Sequence, residues 1–180
     1  MSDKILVTYA SRTGTTAGVA QVIGQLLSEG GVAVDVLPMQ EVSGLAPYAA
    51  VVAGSAIQGA AWLPEAIEFV RFHQAALRQR PFAAFLVCMT LAMPGNPHEA
   101  EVAKWLQPVR EMVPMVSEGL FAGALDISRV PSLKARLSFR TSVMLKVWSE
   151  GDHRDWQAIA EWAETLRPML VRDDRPEGQL

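Results

Sequence analysis

The chain has 180 residues, half of them hydrophobic, and sixteen Lys and Arg against nineteen Asp and Glu give a net charge of −3. That length suits one domain with a sizeable core, and the mild acidity argues against bulk nucleic-acid binding. The one cysteine, Cys88, leaves no intrachain disulfide, which sets an intracellular, cytoplasmic expectation.

The start, Met-Ser-Asp-Lys, runs at once into a short apolar stretch and does not read as a signal peptide. Lys4–Tyr9 is continuous and β-branched, a strand. Thr15–Ser28 carries Val19, Ile23 and Leu26 at helical spacing and ends at Gly30-Gly31. Val32–Leu37 alternates as a second strand, and Tyr48–Gly54 reads as a third, buried on both faces. Pro64–Gln79 is a helix with Pro64 in its first turn. Phe82–Met89 is the fourth strand, His98–Val113 a helix and Leu120–Ile127 the fifth strand. Ser132–Trp148 and Asp152–Leu170 complete the helices. Residues 1–170 are expected to form a single domain with an inserted basic helical segment at 131–148, and 171–180 a polar tail. The alternation of strands and helices predicts a doubly wound α/β fold: a five-stranded parallel sheet in the order 2-1-3-4-5 with helices on both faces.

In such sheets ligands sit beyond the carboxyl ends of the strands, beside strand 1. There the chain places Ser11-Arg12-Thr13-Gly14-Thr15-Thr16, and Ser and Thr supply five hydroxyls between Thr8 and Thr16. One hydroxyl would cap the helix. Five, with the free amides of a helix N-terminus and a glycine that lets the backbone approach closely, read as a phosphate cradle. The loop lacks the Gly-Lys-Ser/Thr of a P-loop and the Gly-x-Gly-x-x-Gly of dinucleotide sites. It suits a single terminal phosphate held by amides, hydroxyls and Arg12.

"SRTGTT" resembles the flavodoxin phosphate-loop pattern Ser/Thr-x-Thr-Gly-x-Thr. "VVAGSAIQGAAWLPEAIEFV" from Val51, "CMTLAMPGN" from Cys88, "AGALDISRVPSLKARL" from Ala122 and "RDWQAIAEWAETL" from Arg154 are similar, in order, to segments of the flavodoxin-type, menaquinone-dependent protoporphyrinogen oxidases of haem biosynthesis. The resemblance covers most of residues 4–170 and implies FMN. Its phosphate would sit on Ser11 to Thr16. Its ring would lie between a second loop, with Ser55, Ala56, Ile57, Gln58, Gly59 and Trp62, and a third, with Thr90, Leu91, Ala92 and Asn96. The chain departs from those oxidases at Arg12-Thr13, at Gly59-Ala60-Ala61 and in a shorter link, "WSEGDHRDW", before the last helix.

Trp62 is either an aromatic against the ring or a staple at a helix start. Met89 and Met93 either touch the ring or fill the core. His73, His98 and His153 lack metal-ligand spacing. Cys88 reads as a packed thiol, and Glu65 and Glu68 as solvated. Residues 127–149 contain no acid but carry Arg129, Lys134, Arg136, Arg140 and Lys146. Leu133, Leu137, Met144 and Trp148 fall roughly on one helical side. The segment is either a peripheral contact with an anionic membrane, a patch for a carboxylate-bearing porphyrin, or a solvated face packed on the sheet.

The resemblance implies an FMN-dependent oxidoreductase passing electrons from a porphyrinogen-like substrate to a quinone, with no catalytic side chain beyond the flavin. The rivals are an electron-carrier flavodoxin, an NAD(P)H:quinone reductase and a flavin-free binding protein on the same fold.

Overall fold

The computed structural model describes residues 4–93, 98–129, 132–145 and 149–171. The main sheet is built from β1 (Ile5–Ala10), β2 (Val34–Pro38), β3 (Ala50–Gln58), β5 (Phe82–Cys88) and β6 (Ser117–Ala122), all parallel. Their order is β2-β1-β3-β5-β6, which is the expected 2-1-3-4-5 arrangement. β4 (Ala61–Trp62) folds back antiparallel on the end of β3.

Strand alternation divides the core in two. Ile5 and Val7 of β1, Ala50 and Val52 of β3 and Phe85 of β5 face α1 (Thr15–Ser28) and the last helix, α7 (Trp156–Leu170), through Val19, Ile23, Ile159 and Leu166. Leu6, Val51, Ala53, Ala84 and Leu86 face the opposite layer, where α2 (Pro64–Phe72), α3 (Gln74–Leu77), α4 (Glu99–Val102) and α5 (Gln107–Met112) contribute Ala66, Val70, Leu77, Val102 and Val109. With helices on both faces, the carboxyl ends of β1, β3 and β5 open onto one rim.

Several elements differ from the expected ones. The first helix has the expected bounds, but the segment from His98 to Val113 is broken by a 3-10 turn over Ala103–Leu106. Pro108, in the first turn of α5, has no N–H to carry a continuous helix across that point. The expected Pro64–Gln79 helix divides at His73, and β3 runs on past Gly54 to Gln58. Ser55 and Ala56 still pair in the main sheet, and Ile57 and Gln58 run beyond it to pair with β4.

After β6 the chain makes an excursion. β7 (Ala124–Leu125) pairs antiparallel with β8 (Gly151–Asp152), Ala124 opposite Asp152 and Leu125 opposite Gly151. The intervening segment therefore begins and ends side by side. It includes α6 (Leu133–Met144), shorter than the expected Ser132–Trp148. Trp148 and the expected tail beyond 171 lie outside the described residues. The apolar side of α6 is not packed on the sheet: Leu133, Leu137 and Met144 are 80%, 68% and 82% exposed. No described helix is long and apolar enough to cross a membrane.

Candidate functional site

The loop after β1 turns through Gly14, whose φ of 87° is left-handed, into α1. No side chain caps that helix and no acid stands in its first turn, so its amides and partial positive charge face outward. The loop is cross-linked by its own hydroxyls. The Gly14 amide donates to Ser11 Oγ over 3.1 Å, the Thr13 and Thr15 hydroxyls lie 3.3 Å apart, and Thr15 Oγ1 donates to the Ala124 carbonyl over 3.4 Å. Thr16 is different. It is fully buried, and its hydroxyl has no hydrogen-bond partner among the described residues. A buried unpaired hydroxyl is costly and rare.

Thr16 is one of the residues lining a cleft of about 680 Å³, a size suited to a cofactor. The cleft has four walls. Ser11, Arg12, Thr13, Thr15 and Thr16 form the first, polar wall. Ala56, Ile57, Gln58, Gly59, Ala60 and Leu63 form the second, and Val87, Cys88, Met89 and Thr90 the third. Trp105 and the strip from Gly123 to Asp126, with Ser132, close the remaining side. Gly14 lines an adjoining recess of about 370 Å³, whose other walls include Leu125, Asp126 and Arg154.

The second wall is a tight hairpin. Gln58 pairs with Ala61, and the two residues between them, Gly59 and Ala60, both have φ near 59°. Two successive left-handed residues give the tight turn that matches strand twist. For Ala60 this conformation is strained.

Arg12, on the first wall, is paired bidentately with Glu65 in the first turn of α2, with one contact of 3.0 Å between Arg12 Nη2 and Glu65 Oε2. Glu65 is therefore an ion-pair partner rather than a solvated acid, and the charge of Arg12 is directed to it. Burial works to raise the Glu65 carboxyl, but hydrogen bonding from Arg12 and the backbone, with attraction to the guanidinium, brings it below its ordinary value. Burial pushes the Cys88 thiol up, against hydrogen bonds from Leu91 and Thr90. A packed neutral thiol follows, not a nucleophile.

Most of the residues singled out from sequence meet at this cleft. Ser55, Trp62, Leu91 and Ala92 do not line it, and Asn96 lies outside the described residues. The Ser55 hydroxyl accepts from the Leu63 amide at 3.0 Å and donates to the Ala56 carbonyl at 2.8 Å, so it pins the start of α2. Trp62 is 3% exposed and packs in the core, its indole N–H without a partner among the described residues. The tryptophan on the cleft is Trp105, from the 3-10 turn between α4 and α5. The strip from Gly123 to Asp126 is not among the expected site residues, because the fifth strand is expected over Leu120–Ile127, whereas it spans Ser117–Ala122 and the strip follows its carboxyl end.

Behind the phosphate loop, Arg154 is clamped. Its Nε and Nη2 donate to the two oxygens of Asp152 at 2.8 and 2.6 Å, and its guanidinium stacks 4.3 Å from the centre of the Trp156 ring. Nη1 reaches α1, where a Cβ placed on Gly18 would lie 2.7 Å from it.

These residues fit FMN. An orphaned buried hydroxyl and uncapped amides stand at the polar end, and apolar walls stand where a ring system would lie.

A sequence model of the flavodoxin domain matches residues 6–153, and FMN is the cofactor of that family. No curated protein matches the chain in sequence. Among solved structures, a flavodoxin from Streptococcus pneumonia TIGR4 is similar, with TM-score 0.57, 17% identity, 91% of this chain and 97% of that one covered. Flavodoxin 2 from Bacillus cereus gives TM-score 0.52 at 23% identity over 79% of this chain and 99% of that one. A short-chain flavodoxin associated with a non-canonical PDU bacterial microcompartment gives TM-score 0.57 at 14% identity, covering 91% and 95%. At these identities the likeness establishes the fold.

Proposed function

Because the chain belongs to the flavodoxin domain family, we propose that it is an FMN-dependent electron-transfer protein. It would take electrons from one redox partner and deliver them to another. The observation that carries this reading is the buried, unpartnered hydroxyl of Thr16, a residue at the uncapped N-terminus of α1 that lines a cleft of cofactor size.

Thr13, Thr15 and Thr16 would hold the phosphate together with the first amides of α1. Ile57, Leu63, Val87 and Met89 would keep water from the ring, and Trp105 would supply an aromatic surface beside it. The FMN ring supplies reversible electron and hydride exchange when bound. No side chain in the cleft is required as a proton donor for electron transfer alone. The test is to purify the protein, record its visible absorption and titrate the flavin-free form with FMN and with riboflavin. Tight FMN uptake with much weaker riboflavin binding supports the reading; a protein that takes up neither ends it.

A second reading is oxidation of a porphyrinogen-like substrate with a quinone as acceptor, in keeping with the resemblance to protoporphyrinogen oxidases. What favours it is the excursion after β7, which adds Asp126 and Ser132 to the cleft and runs from Ser132 directly into a basic helix. Turnover of protoporphyrinogen by the FMN-loaded protein with a soluble quinone would favour this reading over the carrier. No turnover, with electrons still exchanged between FMN and small redox dyes, would leave the carrier.

A further inference from the structure

The charge of this chain is strongly segregated. From Ile127 to Ser149 there are five Lys and Arg and no acid; the remaining residues carry eleven Lys and Arg against nineteen Asp and Glu. An acidic body thus bears one basic excursion, held to it by the two-residue ribbon of β7 and β8.

α6, on that excursion, exposes its apolar residues. Leu133, Leu137 and Met144 are 80%, 68% and 82% exposed, and Leu145 just beyond is 68% exposed. The first three recur at i, i+4 and i+11 and lie within about 40° of one another around a helix of about 3.6 residues per turn. Arg140 lies beside that stripe and Lys134 at its flank, both exposed. On the flank away from Lys134, Arg136 Nη2 donates to the Ser128 carbonyl at 2.8 Å and Val143 is half-buried. The stripe between the two flanks is left exposed.

We propose that α6 docks on an anionic lipid surface, with Leu133, Leu137 and Met144 entering the headgroup boundary and Lys134 and Arg140 meeting lipid phosphates. Large apolar side chains mixed with cations, and no acid between them, are what such a surface selects. Electrostatics alone would serve for an acidic soluble partner, but that leaves the exposed leucines without a role. The remainder of the molecule carries a net negative charge, which the same lipid repels, so the charge balance favours this side.

The docking also bears on the cleft. Ser132, immediately before α6, lies on the cleft wall. A molecule resting on α6 thus holds this wall of its cofactor cleft close to the bilayer, where an apolar redox partner would be dissolved. This consequence rests on the FMN reading; the docking itself does not.

The test is sedimentation of the full chain, with and without FMN, with vesicles of phosphatidylcholine alone and of equal parts phosphatidylcholine and phosphatidylglycerol. Binding is expected on the anionic vesicles only, falling steeply between about 0.05 and about 0.5 M salt. The triple variant Leu133→Ser/Leu137→Ser/Met144→Ser is expected to stay in the supernatant. Lys134→Gln/Arg140→Gln is expected to weaken binding by about tenfold or more, each cation near the surface being worth roughly fivefold. Circular dichroism of each variant matching the parent shows that the fold is intact. Three results would overturn the proposal: no binding at low salt, equal binding by the triple variant, or a dimer in light scattering that the triple variant abolishes while vesicles bind neither form. Loss of FMN uptake with vesicle binding retained would end the electron-transfer reading and leave the docking standing.

Discussion

Arg12 and Glu65 are 53 residues apart in sequence and form a two-pronged ion pair that joins the phosphate loop to the start of α2. The pair ties Arg12, on the cleft wall, to the helix that follows the Leu63 wall, so the two are fixed relative to one another before any cofactor enters. Both side chains remain substantially exposed, and such pairs contribute only about 0.2–1 kcal/mol. The purpose is better understood as geometry than as stability.

That pair gives a pH dependence of defined sign. The Glu65 carboxyl lies below its ordinary 4.5 in the fold. Its contribution is complete above that value and is lost as pH falls through the depressed one. The difference in melting temperature between the parent and Glu65→Gln should be constant from neutral pH down to the ordinary glutamate range and shrink below it. A difference that instead grows on acidification would contradict the assigned pairing.

Thr16→Val separates two effects of opposite sign. The substitution is nearly isosteric and removes a buried hydroxyl that has no partner. The flavin-free protein should melt slightly higher, since an unpaired buried hydroxyl costs about 1–3 kcal/mol. FMN should bind about 10- to 100-fold more weakly, because a hydrogen bond to a charged phosphate is worth roughly 1.5–3 kcal/mol. Riboflavin, which has no phosphate, should bind both proteins alike. Calorimetric titration and thermal melts read both arms.

Trp105→Ala should do the reverse. It removes apolar wall, so FMN and riboflavin should both lose affinity, by about fivefold to tenfold for an aromatic contact of about 1 kcal/mol. Fluorescence titration with the two ligands distinguishes it from any change at the phosphate end. Trp62→Phe, in the core, should alter neither affinity directly.

Ala60→Gly should stabilise the protein. A left-handed alanine costs about 1–2 kcal/mol, and the added freedom of glycine in the unfolded chain returns about 0.4–1 kcal/mol of that. The net gain of roughly 0.5–1 kcal/mol corresponds to a rise of about 1–4 °C for a domain of this size. A fall in melting temperature would mean that the Ala60 methyl is needed in the cleft wall.

The same alanine shows where sequence reasoning stops. Val19, Ile23 and Leu26 announce α1 because a helix buried on one side must repeat with its own pitch, and the hydroxyl loop announces itself by composition. The turn at Gly59-Ala60 has no such signal, since its tight hairpin lacks the Asn-Gly or Asp-Gly that usually marks one. β4 follows from that turn and was equally hidden. Trp62 and Trp105 show the second limit. Periodicity places a tryptophan on an element but not on a face once the element is broken, and Pro108 breaks the one that carries Trp105. Ser55 reads as a ligand group because it follows a strand; only the Leu63 amide at its hydroxyl reveals that it serves the backbone.

Arg154 has a consequence of another kind. Its guanidinium is held by Asp152 and Trp156 in the space that a side chain at position 18 would need. An alanine at Gly18 would move Nη1, the free end of that guanidinium, while Nε and Nη2 hold Asp152. Four positions scattered between the first helix and the last are thus coupled through one planar group. In a line of descent from this chain, the residue at 18 should grow more readily where the arginine at 154 has been lost. The acid at 152 and the indole at 156 would then be free to drift.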